Sequence, residues 1–160
     1  MSLKIIFFTC LMYIGFGGGK SKMYVKEYYN NGTIKAEGWV QNNQKTNYWK
    51  FYHDNGVVSS EGHFENNEPD SYWYYYNLNG KTIKEGHYEE GSIENWWIFY
   101  DIAQQKTRKT QFMSGKKNGF CLIYENKKLK KVKKYENDKF VGEWTTVRSF
   151  YRDNPGVSIR

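Results

Sequence analysis

Four octets of the chain begin at intervals of 24 residues: WKFYHDNG (Trp49–Gly56), WYYYNLNG (Trp73–Gly80), WIFYDIAQ (Trp97–Gln104) and CLIYENKK (Cys121–Lys128). One step back lies VKEYYNNG (Val25–Gly32), and a further copy starts at Trp144 after 23 residues. Tyr28, Tyr52, Tyr76, Tyr100 and Tyr124 stand on the same ruler. So do the pairs Glu37-Gly38, Glu61-Gly62 and Glu85-Gly86, and the series Val40, Phe64, Tyr88 and Phe112, which continues at Tyr135. A fixed period of this length marks a stack of small supersecondary units, each covering its neighbour.

The unit reads as a hairpin. Asn31-Gly32, Asn55-Gly56 and Asn79-Gly80 are strong turn signals, and the positive φ that Asn and Gly tolerate suggests primed two-residue turns there. Each is flanked by a short aromatic or β-branched run. NNQKTN, NNEPDS, EEGSIE and SGKKNG supply a second, looser set of turns. No stretch after the first residues keeps an apolar helical period, so the spacing predicts an all-β fold: an elongated single-layer antiparallel β-meander of about five 24-residue hairpin repeats plus a degenerate sixth. Residues 23–147 form this repeat domain. Residues 148–160 form a worn half-repeat, because FYRDNPGV (Phe150–Val157) echoes FYHDNGVV (Phe51–Val58) and is expected to add a terminal edge strand that a second copy or a partner strand could pair with.

Composition explains how one layer could hold together. Only 39% of residues are hydrophobic, yet 19% are aromatic. Strand side chains alternate between faces, so Trp73 and Tyr75 share one face while Tyr74 and Tyr76 share the other. Equivalent residues of successive repeats then lie roughly 9.6 Å apart, two strand spacings, and wide flat rings can cover one another where no second sheet does.

The composite pattern W-x-x-Y-x-x-N-G, E-G-x-[FY]-x-N and G-x-W resembles the variant MORN repeat of many bacterial proteins, over about residues 25–147. Ser114-Gly115-Lys116-Lys117-Asn118-Gly119-Phe120 is the nearest copy of that family's glycine-lysine segment. Asn47, Ser71 and Asn95 stand where Gly119 and Gly142 carry the family's glycine. The resemblance implies a binding scaffold, in some relatives antitoxin-like or immunity-like, and names no substrate.

Residues 1–22 differ from the remainder. Lys4 precedes an apolar run from Ile5 to Phe16, followed by Gly17, Gly18 and Gly19: the layout of a secretory signal peptide with cleavage near Gly19. That run is short of the ~20 apolar residues of a membrane-spanning helix. Export to a periplasmic, outer-surface or extracellular location is expected, with an uncleaved N-terminal membrane anchor as the alternative. Gly19-Lys20-Ser21 resembles the end of a phosphate-binding loop, but Ile14 stands where the first glycine belongs. Beyond Cys10 the only cysteine is Cys121, which replaces a repeat tryptophan and reads as a small buried hydrophobe.

Catalytic or metal chemistry is not indicated. His63 and His87 are one repeat apart with a strand between them, too far for shared zinc ligation. Glu61 and Glu85 recur with the scaffold, whereas a catalytic pair needs two distinct environments. No cofactor is expected, and the chain is read as non-enzymatic.

Charge is unevenly distributed under the net +7. Residues 54–101 hold ten carboxylates and two lysines, a net of −8, whereas residues 106–139 hold twelve basic and three acidic residues, a net of +9. The run KKLKKVKK (Lys127, Lys128, Lys130, Lys131, Lys133, Lys134) could attract an anionic partner or surface, or guard a strand against aggregation. Nucleic acid fits the charge but not export. The candidate partner-binding residues are these lysines together with Trp49, Tyr52, Trp73, Tyr76, Trp97 and Tyr100. A protein partner is the leading expectation, and a cell-envelope glycan lying along the aromatic ladder is the alternative.

Overall fold

The computed structural model describes residues 21–159. The leader expected over residues 1–22 lies outside these except for its last two residues, and Lys22 already opens the first strand.

Eleven strands follow one another across a single antiparallel sheet in sequence order. They are β1 (Lys22–Tyr28), β2 (Ile34–Gln41), β3 (Gln44–Tyr52), β4 (Val58–Glu65), β5 (Glu68–Tyr76), β6 (Thr82–Glu89), β7 (Ser92–Asp101), β8 (Lys106–Met113), β9 (Lys116–Glu125), β10 (Lys128–Glu136) and β11 (Lys139–Trp144). The 24-residue unit is one odd-numbered strand plus the even-numbered strand after it, so the sheet holds five hairpins and β11.

The two turn classes are the reverse of the sequence expectation. The two-residue primed turns join the repeats, at the places expected to be loose. Asn42 and Asn43 both have positive φ (53° and 61°) between the paired residues Gln41 and Gln44, and Asn66–Asn67, Glu90–Gly91, Ser114–Gly115 and Asn137–Asp138 do likewise; within the fifth hairpin Asn126–Lys127 makes the same two-residue turn. The Asn-Gly sites are three-residue turns. The Gly32 N–H donates to the Tyr29 carbonyl at 3.0 Å, the Tyr29 N–H donates to the Thr33 carbonyl at 2.9 Å, and only Gly32 takes positive φ (85°). Asn31 is used for its side chain instead. Its Oδ1 accepts from the Thr33 N–H at 3.0 Å, and its Nδ2 donates to the Asp54 carbonyl of the next repeat's turn at 3.3 Å. Asn55 repeats this reach to the Leu78 carbonyl at 3.1 Å.

One face of the sheet carries the tryptophans. The Trp49 ring lies over Gly38, Trp73 over Gly62 and Trp97 over Gly86, so closely that a Cβ on any of these glycines would fall within 2.3–2.4 Å of ring carbons. Each indole N–H donates to the carbonyl just past its glycine, on Trp39, His63 and His87, at 2.9, 3.0 and 3.0 Å. Phe51, Phe64, Tyr75, Tyr88 and Phe99 pack around them. Phe64 meets Trp73 edge-on with centroids 5.0 Å apart, and Tyr88 meets Trp97 in the same way. The three indoles are left 1, 3 and 2% exposed. In this layer the ring itself does the work of a second sheet.

The odd-numbered strands kink just before their tryptophan. The register slips opposite Gly38, and Asn47, Ser71, Asn95 and Gly119 take positive φ of 58°, 62°, 58° and 106°. Four of the five positions in this column thus sit in the left-handed region, three of them without glycine, so the kink depends on that conformation rather than on glycine itself. Gly142 in β11 is the exception.

Between the fourth and fifth repeats the pair is rebuilt. Thr110 replaces the glycine and Cys121 the tryptophan, and the Thr110 hydroxyl donates to Cys121 Sγ at 3.3 Å. Both are buried, in keeping with Cys121 as a small packed hydrophobe.

The C-terminal segment is not a strand. Residues Val147–Asp153 form a helix, α1, capped by the Thr146 hydroxyl accepting from the Ser149 N–H at 3.1 Å. Helical geometry turns Phe150 completely inward, against Leu122 and Val132 and edge-on to Phe120 and Trp144 at 5.3 and 5.5 Å. Asn154-Pro155 ends the helix. The last edge of the sheet is therefore β11, and the echo of FYHDNGVV is used for an aromatic plug rather than a hairpin.

Candidate functional site

Alternation along the strands assembles the second face from the remaining columns. Tyr24, Tyr48, Tyr72, Trp96 and Phe120 form one, on the same 24-residue step, and Tyr28, Tyr52, Tyr76, Tyr100 and Tyr124 form another. Between them run Glu37, Glu61 and Glu85. The first column is missing from the sequence reading, although the ruler that reveals the second also passes through it.

Helix α1 sits on this face at its C-terminal end, covering Phe120, Leu122, Tyr124 and Val132. Across β1–β7 the face is open. Tyr24, Tyr28, Trp39, Tyr48, Tyr72 and Tyr74 are all exposed. Tyr52, Tyr76 and Tyr100 are half-buried and lean onto the glutamates of the preceding strands: the Tyr52 hydroxyl donates to Glu37 at 2.5 Å, Tyr76 to Glu61 at 2.7 Å and Tyr100 to Glu85 at 2.5 Å. Burial, and then the glutamate beside it, raises the pKa of each of these three phenols well above the ordinary tyrosine range. Tyr48 and Tyr72 are pushed up to about 12, by burial first and by Glu61 and Glu85 respectively next. The Tyr52 hydrogen bond, helped by Lys26, holds the Glu37 carboxyl below its ordinary value. The result is an array of donors and acceptors already engaged with one another, overlaid by exposed rings.

Cations are distributed differently on the two faces. On the tryptophan face Lys45 stands 4.6 Å over Trp49, Lys84 4.1 Å over Tyr75 and Arg108 4.5 Å over Phe99, so that face is roofed by its own side chains. On the tyrosine face Lys26 pairs with Glu37 at 3.1 Å and Lys50 with Glu61 at 3.7 Å.

The candidate residues read from sequence therefore divide. Trp49, Trp73 and Trp97 are scaffold, since so little of each ring reaches the surface that none offers a contact area. Tyr52, Tyr76 and Tyr100 lie together on the open face. The lysines of residues 127–134 do not form one patch. Lys127 lies in the β9–β10 turn and Lys128 opens β10, Lys131 and Lys133 flank Glu143 at 3.0 and 3.8 Å, and Lys134 pairs with Glu136 at 3.1 Å on the other side of the sheet. Lys133 shares the face of Cys121, and Lys134 that of Phe120, because adjacent strand residues point oppositely. His63 and His87 each lie one strand residue past a buried glycine, opposite Tyr48 and Tyr72, and Tyr48 meets His63 edge-on at 5.0 Å. Among the described residues no group of three or more His, Cys, Asp or Glu side chains is placed to hold a metal ion. No helix among them is long and apolar enough to cross a membrane. Compared with known families and with curated proteins, the chain matches no family model and no curated sequence.

Proposed function

We propose that this protein is a non-enzymatic repeat scaffold that binds a protein partner through the open tyrosine–glutamate face of β1–β7. The observation that carries the reading is the contrast between the two faces: one is closed by its own tryptophans and lysines, while the other exposes aromatic rings from β1, β2, β3 and β5. An exposed apolar patch of this continuity is characteristic of an interaction surface, and tyrosine is the residue most suited to it, bringing large contact area and a polar tip with little conformational freedom to lose.

The repeat pattern supports placing the chain beside the variant MORN repeats, and an antitoxin-like or immunity-like partnership is a specific form of the proposal. The basic start, apolar run and glycine cluster of residues 1–19 support export, and the partner is then a component of the cell envelope or its surroundings. Envelope glycan is the second reading. It is favoured by Tyr24, Tyr48 and Tyr72, exposed rings one repeat apart that could stack on successive sugars. Affinity capture from envelope extract, run beside a glycan array with wild type and Tyr48→Ser/Tyr72→Ser, tests both. Capture of a specific protein that the double variant loses is the expected result. Glycan binding with no protein retained reverses the order, and equal behaviour of the two chains overturns the assignment to this face.

A further inference from the structure

The three glutamates of the tyrosine face are equivalent by repeat but not by neighbour. Glu37 lies in register between Lys26 and Lys50. Glu61 lies between Lys50 and Tyr74. Glu85 lies between Tyr74 and Ile98. The number of flanking lysines thus falls from two to one to none along the sheet. Among the described residues no lysine or arginine forms an ion pair with Glu85, whereas Glu37 and Glu61 each have one. The Tyr100 hydroxyl donates to Glu85, the Tyr72 phenol also interacts with it, and it is half-buried beside Tyr72 and Tyr74, whose exposed rings have centroids 5.1 Å apart.

We propose that the surface cluster of Glu85, Tyr72, Tyr74 and Tyr100 receives a lysine or arginine side chain of a basic partner polypeptide. The partner cation takes the place that Lys26 and Lys50 fill within the chain beside Glu37 and Glu61. The inference rests on the protein-binding reading of this face and specifies the chemistry of the partner. Three features converge on it. A carboxylate rimmed by electron-rich rings is the combination that recognises an organic cation. This chain already uses the pairing elsewhere, with Lys45, Lys84 and Arg108 stacked on its own aromatics. The surrounding tract, residues 54–101, has a net charge of −8 and would draw a basic segment toward the site. Glycan hydroxyls would match the rings but would leave this charge unanswered.

The test uses the full chain and a capped hexalysine peptide, with hexaglutamate as the control, followed by calorimetry at low and moderate salt. Wild type is expected to bind hexalysine saturably and hexaglutamate not at all. Glu85→Gln should weaken hexalysine binding about tenfold or more, the loss typical of a charge-assisted hydrogen bond. Tyr74→Lys, which installs beside Glu85 the lysine that Glu61 already has, should weaken it comparably while leaving the melting behaviour intact. Asp54→Asn removes the same charge from an exposed turn of the acidic tract, outside the site, and should weaken binding far less than Glu85→Gln. Equal affinity in Glu85→Gln and Asp54→Asn overturns the proposal, as does equal binding of the two peptides by wild type. If the captured envelope partner is retained equally by wild type and Glu85→Gln, the cation site fails while the binding scaffold stands. If Glu85→Gln releases hexalysine but Tyr48→Ser/Tyr72→Ser holds every captured protein, the broader reading fails instead.

Discussion

Gly62→Ala is the sharpest probe of how this single layer is held together. A methyl on Gly62 would lie 2.4 Å from Trp73 Cδ2 and Cε2 and 2.5 Å from Cγ, where an ordinary carbon–carbon contact is about 3.5–4.0 Å. The ring would have to lift by more than about 1 Å. It is 3% exposed and boxed by Phe51, Phe64, Tyr75 and Tyr88, and its N–H is anchored on the His63 carbonyl at 3.0 Å. Overpacking of this kind costs about 1–3 kcal/mol, and loss of the indole hydrogen bond adds about 1 kcal/mol. A destabilisation of roughly 2–4 kcal/mol follows, a fall in melting temperature on the order of 5–15 °C for a chain of this size. Thermal melts followed by circular dichroism, with urea midpoints as a second measure, provide the readout. Gly56→Ala is the matched control: it has open space around its Cβ position but a φ of +82°, so it should lose only the left-handed-conformation cost of about 1–2 kcal/mol. A Gly62→Ala protein as stable as Gly56→Ala, or more so, would refute the claim that the tryptophan roof depends on a bare backbone beneath it.

The Thr110–Cys121 pair predicts that Thr110→Gly and Cys121→Trp each destabilise alone but recover together, with a coupling of about 1–3 kcal/mol in a double-mutant cycle of urea midpoints. Tyr48 and Tyr72 ionise near pH 12 in the folded chain against 10.0 when unfolded, so the folded form holds protons that the unfolded form releases. The stability they confer is complete below pH 10 and is lost as pH rises toward 12, and urea midpoints should fall across that window in step with tyrosinate absorbance, less so in Tyr48→Phe/Tyr72→Phe. Phe150→Ala removes the plug of α1 and should cost about 3–5 kcal/mol, with hydrogen exchange accelerating in β9–β11 and not in β1–β4. Ser71→Gly relieves a φ of +62° and should raise stability by up to about 1 kcal/mol in the same melts, as Gly119 does naturally.

The period and the strand order were legible because each tyrosine column reports one strand face, and a β-meander converts sequence interval directly into spatial interval. Turn chemistry was legible only as location. Asn-Gly satisfies both a primed turn and a three-residue turn ending in a left-handed glycine, and the choice is made by whether Asn31 is needed in the backbone or, as here, as a side-chain bridge to Asp54. Gly38, Gly62 and Gly86 stood out only as a repeating column and are mid-strand floors under tryptophan. Their signal was the Glu-Gly pairing eleven residues before each Trp, which only the register explains. The helix was hidden by a repeat echo: Phe150 and Tyr151 look like strand residues, whereas Thr146, Ser149 and Pro155 carried the start and stop signals. From sequence the tryptophans fit either a scaffold or a contact face, and burial decides for scaffold. The unequal lysine neighbours of Glu37, Glu61 and Glu85 lie in plain sequence, as Lys26, Lys50, Tyr74 and Ile98, but become meaningful only when cross-strand partners are known.

The first and last strands lie at opposite borders of the sheet, with every intermediate strand linked in order. A tension applied at Lys22 and Trp144 therefore loads the ladder perpendicular to the strands, and backbone bonds would break in succession, as a zip opens, instead of resisting together in shear. Such a chain would yield at low force in many small, evenly sized steps, with α1 delaying the C-terminal border. A protein of this build can lengthen under load and rewind afterwards, hairpin by hairpin.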